Sequence, residues 1–427
     1  MVDTGTPPAT AEALARALDG KRFWRDMLDI AAIGSHPDGS IRRLALNAAD
    51  NDARIWLADQ GKALGCETTC DSLGNLYLCR SGTDSSLAPL LVGSHLDSQP
   101  RAGAYDGSLG VLAGLAVLRG LHAAGIRHRR PIELVSWTNE EGARFTPGTS
   151  GSAWFSGLRS YEQIVEATDA QGVRCADALS TCLEHLKQHG IPLRSELPEP
   201  RGFIELHIEQ GPVLEGLGVP VGSVSGIQGV HWYNVEVVGR ANHAGTTPRS
   251  QRADAFDGAH ALITAIKQAA YRDGDDVRFT IGRFSVAPGS VNTIPERAEF
   301  TIDLRHPNAQ TLATINDDLT TLAASSWSGC EVTLSRLSTA NPVTFDPSIV
   351  EIVTRSAQEF SPGAPTLMSG AFHDAINLSR MCPTAMLFAA CRDGISHSPE
   401  EHVERDDAIA SMRALGMAVA ELAELVT

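Results

Sequence analysis

The sequence predicts an α/β fold: a mixed, mainly parallel sheet with flanking helices, interrupted by a smaller α+β domain with an antiparallel sheet. Three observations predict it. Three continuous apolar runs, APLLVG from Ala88, PIELVSW from Pro131 and GFIELHI from Gly202, suit strands buried on both faces. Between the first two lies a helical stretch, Ser108–Ala124, whose small residues permit close packing. From about Pro212 the texture changes to alternating segments such as WYNVEVV (Trp232–Val238), the pattern of a half-exposed strand.

The remaining elements follow in order. Residues 10–70 read as helices, Ala- and Leu-rich with Arg and Asp at surface spacing. A turn at Gly74-Asn75 leads into a short strand ending near Arg80. In the second half, Asp254–Tyr271 reads as an amphipathic helix, Val277–Val286 and Glu299–Leu304 as alternating strands, and Asp318–Ser325 as a second helix. After about Val332 the α/β texture returns, with a helix near Ser348–Glu359, a strand at Thr384–Ala389 and a helix from Arg405 to Leu425. This divides the chain into a catalytic α/β domain, residues 1–213 and 332–427, and an inserted α+β domain, residues 214–331, expected to act as lid and dimerisation module.

The bulk numbers narrow the function. A chain of 427 residues suits two domains. Its net charge of −16 argues against nucleic acid or an anionic membrane as partner, since both attract basic surfaces. A small anionic substrate stays possible, because one local Arg sets the field in a pocket. The first residues, MVDTGTPPATAEALARAL, show neither the basic nor the apolar region of a signal peptide. The apolar span Gly110–Gly125 is broken by Arg119 and His122 and falls short of the ~20 residues of a membrane helix. Eight scattered cysteines form no CxxC pair, which suits reduced thiols in a cytoplasmic protein.

The ends of the three buried runs carry metal-ligand chemistry. The first is followed by Ser94-His95-Leu96-Asp97-Ser98, where His95 offers a metal one ring nitrogen and Asp97 is placed to hold the other. The second is followed by Glu140-Glu141, adjacent carboxylates that are costly to keep close without a cation. The third ends in His207-Ile208-Glu209-Gln210-Gly211. Asp106 stands just ahead of the Ser108 helix, placed to bridge two metals, and His397 lies in a polar turn after the Thr384 strand. Open α/β sheets bind ligands at the carboxyl ends of their strands. Five imidazole or carboxylate candidates with no Cys among them suit Zn²⁺, Mn²⁺, Co²⁺ or Ni²⁺ over Ca²⁺ or Mg²⁺. The residues alone leave open which of Glu140 and Glu141 is ligand and which is base.

The blocks GSHLDS, GAYDGSLGVLAGL, TNEEGARF, ELHIEQGPVLE, ANHAGTTP and RDGISHSPEEH resemble the signatures of the hydantoinase/carbamoylase amidases, a branch of the M20-type metallopeptidase clan. The resemblance runs from about Leu91 to His402. It implies His95, Asp106 and His207 on one metal and Asp106, Glu141 and His397 on the other, with Glu140 as general base. His207 points to the carbamoylase branch, since peptidase relatives tend to carry a carboxylate there. The resemblance also implies a homodimer and a His243 that donates to the developing oxyanion from a closing loop.

The same likeness assigns the substrate. Arg305 and Asn292 match carboxylate-binding positions, and Arg suits a two-toothed carboxylate pair better than Lys. Gln210 is placed to bind a ureido group. Gly370, in the block Ser369-Gly370-Ala371-Phe372-His373-Asp374, lets substrate approach closely, while His373 is expected to anchor that loop. The chain departs from the family at Ala153, Phe372, Arg249 and the Arg101–Ala104 loop, positions that bear on substrate identity. The expected reaction is hydrolysis of a carbamoyl or ureido C–N bond in a small carboxylate, with N-carbamoyl-L-amino acids favoured over allantoate and N-carbamoyl-β-alanine. A dipeptidase or aminoacylase of the same clan, and a binding protein that has lost its chemistry, are the competing readings.

Overall fold

The runs Leu90–His95, Ile132–Trp137 and Gly202–Ile208 form strands in which every residue is buried, as strands covered on both faces require. The computed structural model describes residues 8–272 and 274–426. They form two compact units. Residues up to Gly226 and from Phe345 make the first, and Ile227–Thr344 makes the second. Each has its own apolar core.

In the first unit the strands lie in the order Glu67–Cys70, Leu76–Arg80, Ile132–Trp137, Leu90–His95, Gly202–Ile208, Thr384–Ala389, Val221–Ile227, with Thr366–Ser369 paired to the last. The central four run parallel. Antiparallel partners join on either side. The sheet is thus mixed with a parallel centre. The helix Ser108–Ala123 packs against it closely because glycines face the strands. A Cβ on Gly110 would stand 2.1 Å from the Leu206 carbonyl oxygen, and one on Gly114 2.6 Å from Leu134. The helices Pro347–Phe360 and Arg405–Leu422 fall where the sequence places them. No helix among the described residues is long and apolar enough to cross a membrane.

The second unit is a four-stranded antiparallel sheet in the order Glu331–Ala340, Gly229–Val238, Arg297–His306, Arg278–Ala287, with helices Ala255–Ala270 and Ala309–Ala323. Side chains alternate as the period of a strand demands. Ala298, Phe300, Ile302 and Leu304 are buried in the core, and the residues between them are partly or fully exposed. The caps of both helices are legible chemistry: Asp254 accepts from the backbone N–H of Phe256 and Asn308 from those of Gln310 and Thr311.

Three details differ from the sequence expectation. The division between units falls later than residues 214 and 332 at both ends, because Val221–Ile227 belongs to the first unit's sheet and Glu331–Ala340 completes the second's. The helix expected at Asp318–Ser325 starts at Ala309, its inner face carried by Leu312, Ile315 and Leu319. Residues 10–70 hold three helices, Pro8–Ala17, Gly20–Ala32 and Ala48–Ala63, and the irregular stretch between the last two carries a buried arginine.

That arginine, Arg43, binds the site's framework together. It donates to the carbonyls of Leu96 (2.6 Å), Ile30 (2.9 Å) and Ile33 (2.8 Å) and to the Ser108 hydroxyl (2.8 Å). One side chain thereby links the loop after His95 to the start of the helix after Asp106. Arg43→Met strands several buried acceptors and should lower unfolding free energy by about 3–5 kcal/mol in urea titration. An unchanged midpoint would refute that role.

Candidate functional site

Parallel pairing aligns the strand ends that carry the candidate ligands. His95 closes Leu90–His95 in register with Trp137, the last residue of Ile132–Trp137, and Glu140 and Glu141 follow shortly after. His207 lies in register with Phe388 near the end of Thr384–Ala389, the strand that leads towards His397. Asp106 precedes the helix Ser108–Ala123, whose N-terminal turn begins at Gly107. Gly107 has φ +64, and a Cβ there would lie 2.4 Å from the His95 ring, so only glycine fits.

The side chains meet around one carboxylate. Asp106 Oδ1 lies 3.1 Å from His207 Nε2 and 3.4 Å from His95 Nε2. Its Oδ2 lies 3.4 Å from His397 Nε2, which stands 3.5 Å from Glu141 Oε2. Two groups result, His95–Asp106–His207 and Asp106–Glu141–His397, each with ligand atoms within 4.8 Å of one another. Glu140 is in neither group, and its Oε2 is 3.5 Å from His95 Nε2.

The donor set fits divalent cations on three grounds. It combines imidazole and carboxylate, which suits ions such as Zn²⁺ or Mn²⁺. His95 Nε2 and Glu141 Oε1 are buried without a hydrogen-bond partner among the described residues. Acidic groups also crowd there. Burial and the Asp106 charge push the Glu141 carboxyl up to about 7. Burial raises Glu140 well above the usual range, with Asp374 and Glu141 adding to it. Burial opposes charge on Asp106, yet His207, His397 and His95 together hold it well below the ordinary value. Crowded carboxylates of this kind are what a dication relieves.

Asp97 acts differently from the expectation. His95 Nδ1 meets the backbone carbonyl of Asp97 at 2.9 Å, and the Asp97 carboxylate lies farther off at 3.8 Å. That carboxylate instead accepts from the backbone N–H groups of Glu140 (3.1 Å) and Glu141 (3.3 Å). Two converging N–H donors satisfy a buried carboxylate better than one imidazole, so the chain turns its carbonyl to the ring. Asn139 starts this turn in the left-handed conformation, φ 56, its amide donating to the Phe145 carbonyl and Ser150 hydroxyl.

Gln210 donates to Asp106 Oδ2 at 2.8 Å and to the Ser396 hydroxyl at 3.1 Å. Gly370 is exposed in the loop after Thr366–Ser369. His373 holds that loop, with Nε2 2.8 Å from the Ser369 hydroxyl and its ring 4.4 Å from that of His207. Glu205 lies close to both rings, but its oxygens already accept from Ser94 and from the backbone N–H of Ala375. Sequence reasoning missed Glu401. It accepts from the backbone N–H groups of Tyr105 and Asp106, and its Oε2 lies 3.1 Å from the Ser396 hydroxyl, which donates to Asp106 Oδ2 at 2.9 Å. Its place inside RDGISHSPEEH was the available signal.

In the second unit the loops at residues 242–248 and 290–294 are joined: Ala244 N–H donates to the Asn292 carbonyl and Ile294 N–H to that of Asn242. His243 and Asn292 are exposed there. His243 Nδ1 accepts from Gly245 N–H at 3.0 Å, which leaves the ring proton on Nε2. Arg305 lies on the partly exposed face of its strand, paired with Asp303.

The model of Peptidase family M20/M25/M40 matches residues 91–421. The chain belongs to this family. It is 35% identical over 410 residues to an N-carbamoyl-L-amino acid amidohydrolase of Geobacillus stearothermophilus, covering 95% of this chain and 99% of that one. An allantoate deiminase of Arabidopsis thaliana is 33% identical over 405 residues, covering 87% and 75%. The crystal structure of a hydantoinase/carbamoylase family amidase from Burkholderia ambifaria superimposes with a TM-score of 0.88 at 38% identity, covering 96% and 99%. The chain sits on this hydantoinase/carbamoylase branch and is an amidohydrolase.

Removing the Asp97 carboxylate frees the Glu140–Glu141 turn. Asp97→Ala should therefore cost about 10–100-fold in kcat/KM, the usual effect of losing such a support. Full activity in that variant would show that the turn holds without it.

Proposed function

We propose that this amidohydrolase cuts the carbamoyl C–N bond of an N-carbamoyl-L-amino acid, giving the amino acid, carbon dioxide and ammonia. One observation carries the reading: the two oxygens of the buried Asp106 face separate ligand groups, while Glu140 stands beside His95 and belongs to neither group. The relatives named for N-carbamoyl-L-amino acids supply the substrate class. Allantoate is the second reading, favoured by relatives named for it, and N-carbamoyl-β-alanine is a third substrate of the same chemical type.

Two divalent ions, one held by His95, Asp106 and His207 and one by Asp106, Glu141 and His397, would supply an acidified water and a polarised carbonyl. Zn²⁺ suits the donors best, with Mn²⁺, Co²⁺ or Ni²⁺ as substitutes. The chain's own groups do the rest. Glu140, whose Oε2 lies 3.5 Å from His95 Nε2 outside both ligand groups, takes a proton from the attacking water. As the C–N bond breaks, Glu140 passes the proton to the leaving nitrogen, and the carbamate released decomposes. His243 supplies Nε2–H as donor to the carbonyl oxygen as charge builds there. Arg305 and Asn292 take the substrate carboxylate, while Gln210 and the backbone at Gly370 take the ureido group.

A homodimer through the second unit completes the reading. Its edge strand Arg278–Ala287 exposes Phe284 and Val286, and the neighbouring helix exposes Phe256. The eight cysteines are free, in keeping with a cytoplasmic enzyme.

The test is a panel of N-carbamoyl-L-amino acids, N-carbamoyl-β-alanine, allantoate and dipeptides, with ammonia and amine release measured on protein stripped of metal and then reloaded. Ammonia from an N-carbamoyl-L-amino acid, only after reloading, is expected; amine from dipeptides alone would overturn the reading. Glu140→Gln should keep its metal and lose about 10²–10⁴-fold in kcat. Turnover at the parental rate would remove Glu140 from the mechanism.

A further inference from the structure

Arg305 and Asp303 stand two residues apart on the strand Arg297–His306, so their side chains leave the same face. The opposite face, with Ala298, Phe300, Ile302 and Leu304, is locked in the second unit's core. The strand is hydrogen-bonded to a neighbour on each side along most of its length. The backbone under the pair is therefore fixed, and the side chains carry the remaining freedom. Asp303 removes much of it. Its Oδ1 accepts from Arg305 Nε at 2.9 Å and its Oδ2 from Arg305 Nη2 at 2.8 Å, a two-toothed pair.

We propose that Asp303 is a positioning residue for carboxylate recognition: it holds the Nε–Nη2 edge of Arg305 and so fixes the plane of the guanidinium that takes the substrate carboxylate. This rests on the reading of Arg305 as the carboxylate receptor. An unheld arginine side chain samples many rotamers and loses that freedom on binding; the Asp303 clamp removes the loss in advance. The two side chains are 27% and 29% exposed, and ion pairs of that exposure add little to folding stability. The effect of the clamp thus falls on binding and not on the fold.

A contrary role is also readable from the same contacts. Asp303 neutralises Arg305 and, acting as a competitor for the guanidinium, would weaken substrate binding. The two roles predict opposite signs for KM.

The experiment uses full-length, metal-loaded enzyme with an N-carbamoyl-L-amino acid and its carboxamide analogue. Asp303→Asn should raise KM for the carboxylate roughly tenfold, the loss of about one charge-assisted contact. Its kcat should fall far less than KM rises, its KM for the carboxamide should stay put, and its melting temperature should match the parent. Asp303→Glu should restore part of the affinity. Arg305→Ala should abolish the preference for carboxylate over carboxamide. If Arg305→Ala keeps that preference, the receptor reading falls and the role of Asp303 with it. If Arg305→Ala loses the preference while Asp303→Asn keeps or lowers KM, only the positioning role is overturned.

Discussion

One buried carboxylate organises the candidate site of the first unit. Asp106 is surrounded by His95, His207 and His397, with its two oxygens turned to different imidazoles. Four acidic side chains, Asp97, Asp106, Glu140 and Glu141, lie within a few residues' reach of one another in a nearly dry setting. Such a cluster is unfavourable unless positive charge joins it. The surrounding structure can be understood as the means of holding this cluster in place.

Three devices do so. Arg43 ties the loop after His95 to the start of the helix after Asp106. Glu401 accepts from the Asp106 backbone N–H, although 295 residues separate them in the chain. Asp97 pins the Glu140–Glu141 turn. The parallel sheet supplies the common edge, and close glycine contacts at Gly107 and Gly110 bring helix and strands near enough for the ligands to meet. The second unit carries a separate set of polar groups: His243 with its proton on Nε2, and Arg305 clamped by Asp303.

Much of this was legible in the sequence because two simple patterns coincide. His95, His207 and the Glu140–Glu141 pair stand where a continuous apolar run gives way to polar residues, which marks a strand end on a ligand-binding edge. Both family blocks and residue chemistry then point to the same side chains. Arg43 was not legible, since it lies in irregular chain and its partners are mainly carbonyls that any sequence supplies. The contact of Asp97 is not legible in the sequence, because its backbone carbonyl competes with its own side chain for the His95 ring. The edge strand Glu331–Ala340 is hard to place from sequence because an exposed edge strand needs few apolar residues, and its pattern is weak. The start of the helix Ala309–Ala323 is not legible, because its first turns are Thr-, Ala- and Gln-rich and show only a sparse apolar face.

The proposed reaction requires two cation positions that share Asp106. The direct measurement is the metal content of purified protein after reloading and gel filtration, read by elemental analysis. Two divalent ions per chain are expected in the parent, one in Glu141→Gln or His397→Ala, and none retained in Asp106→Asn, with all four proteins folded. A parent that binds a single ion, or an Asp106→Asn variant that still holds two, would contradict the proposed reaction.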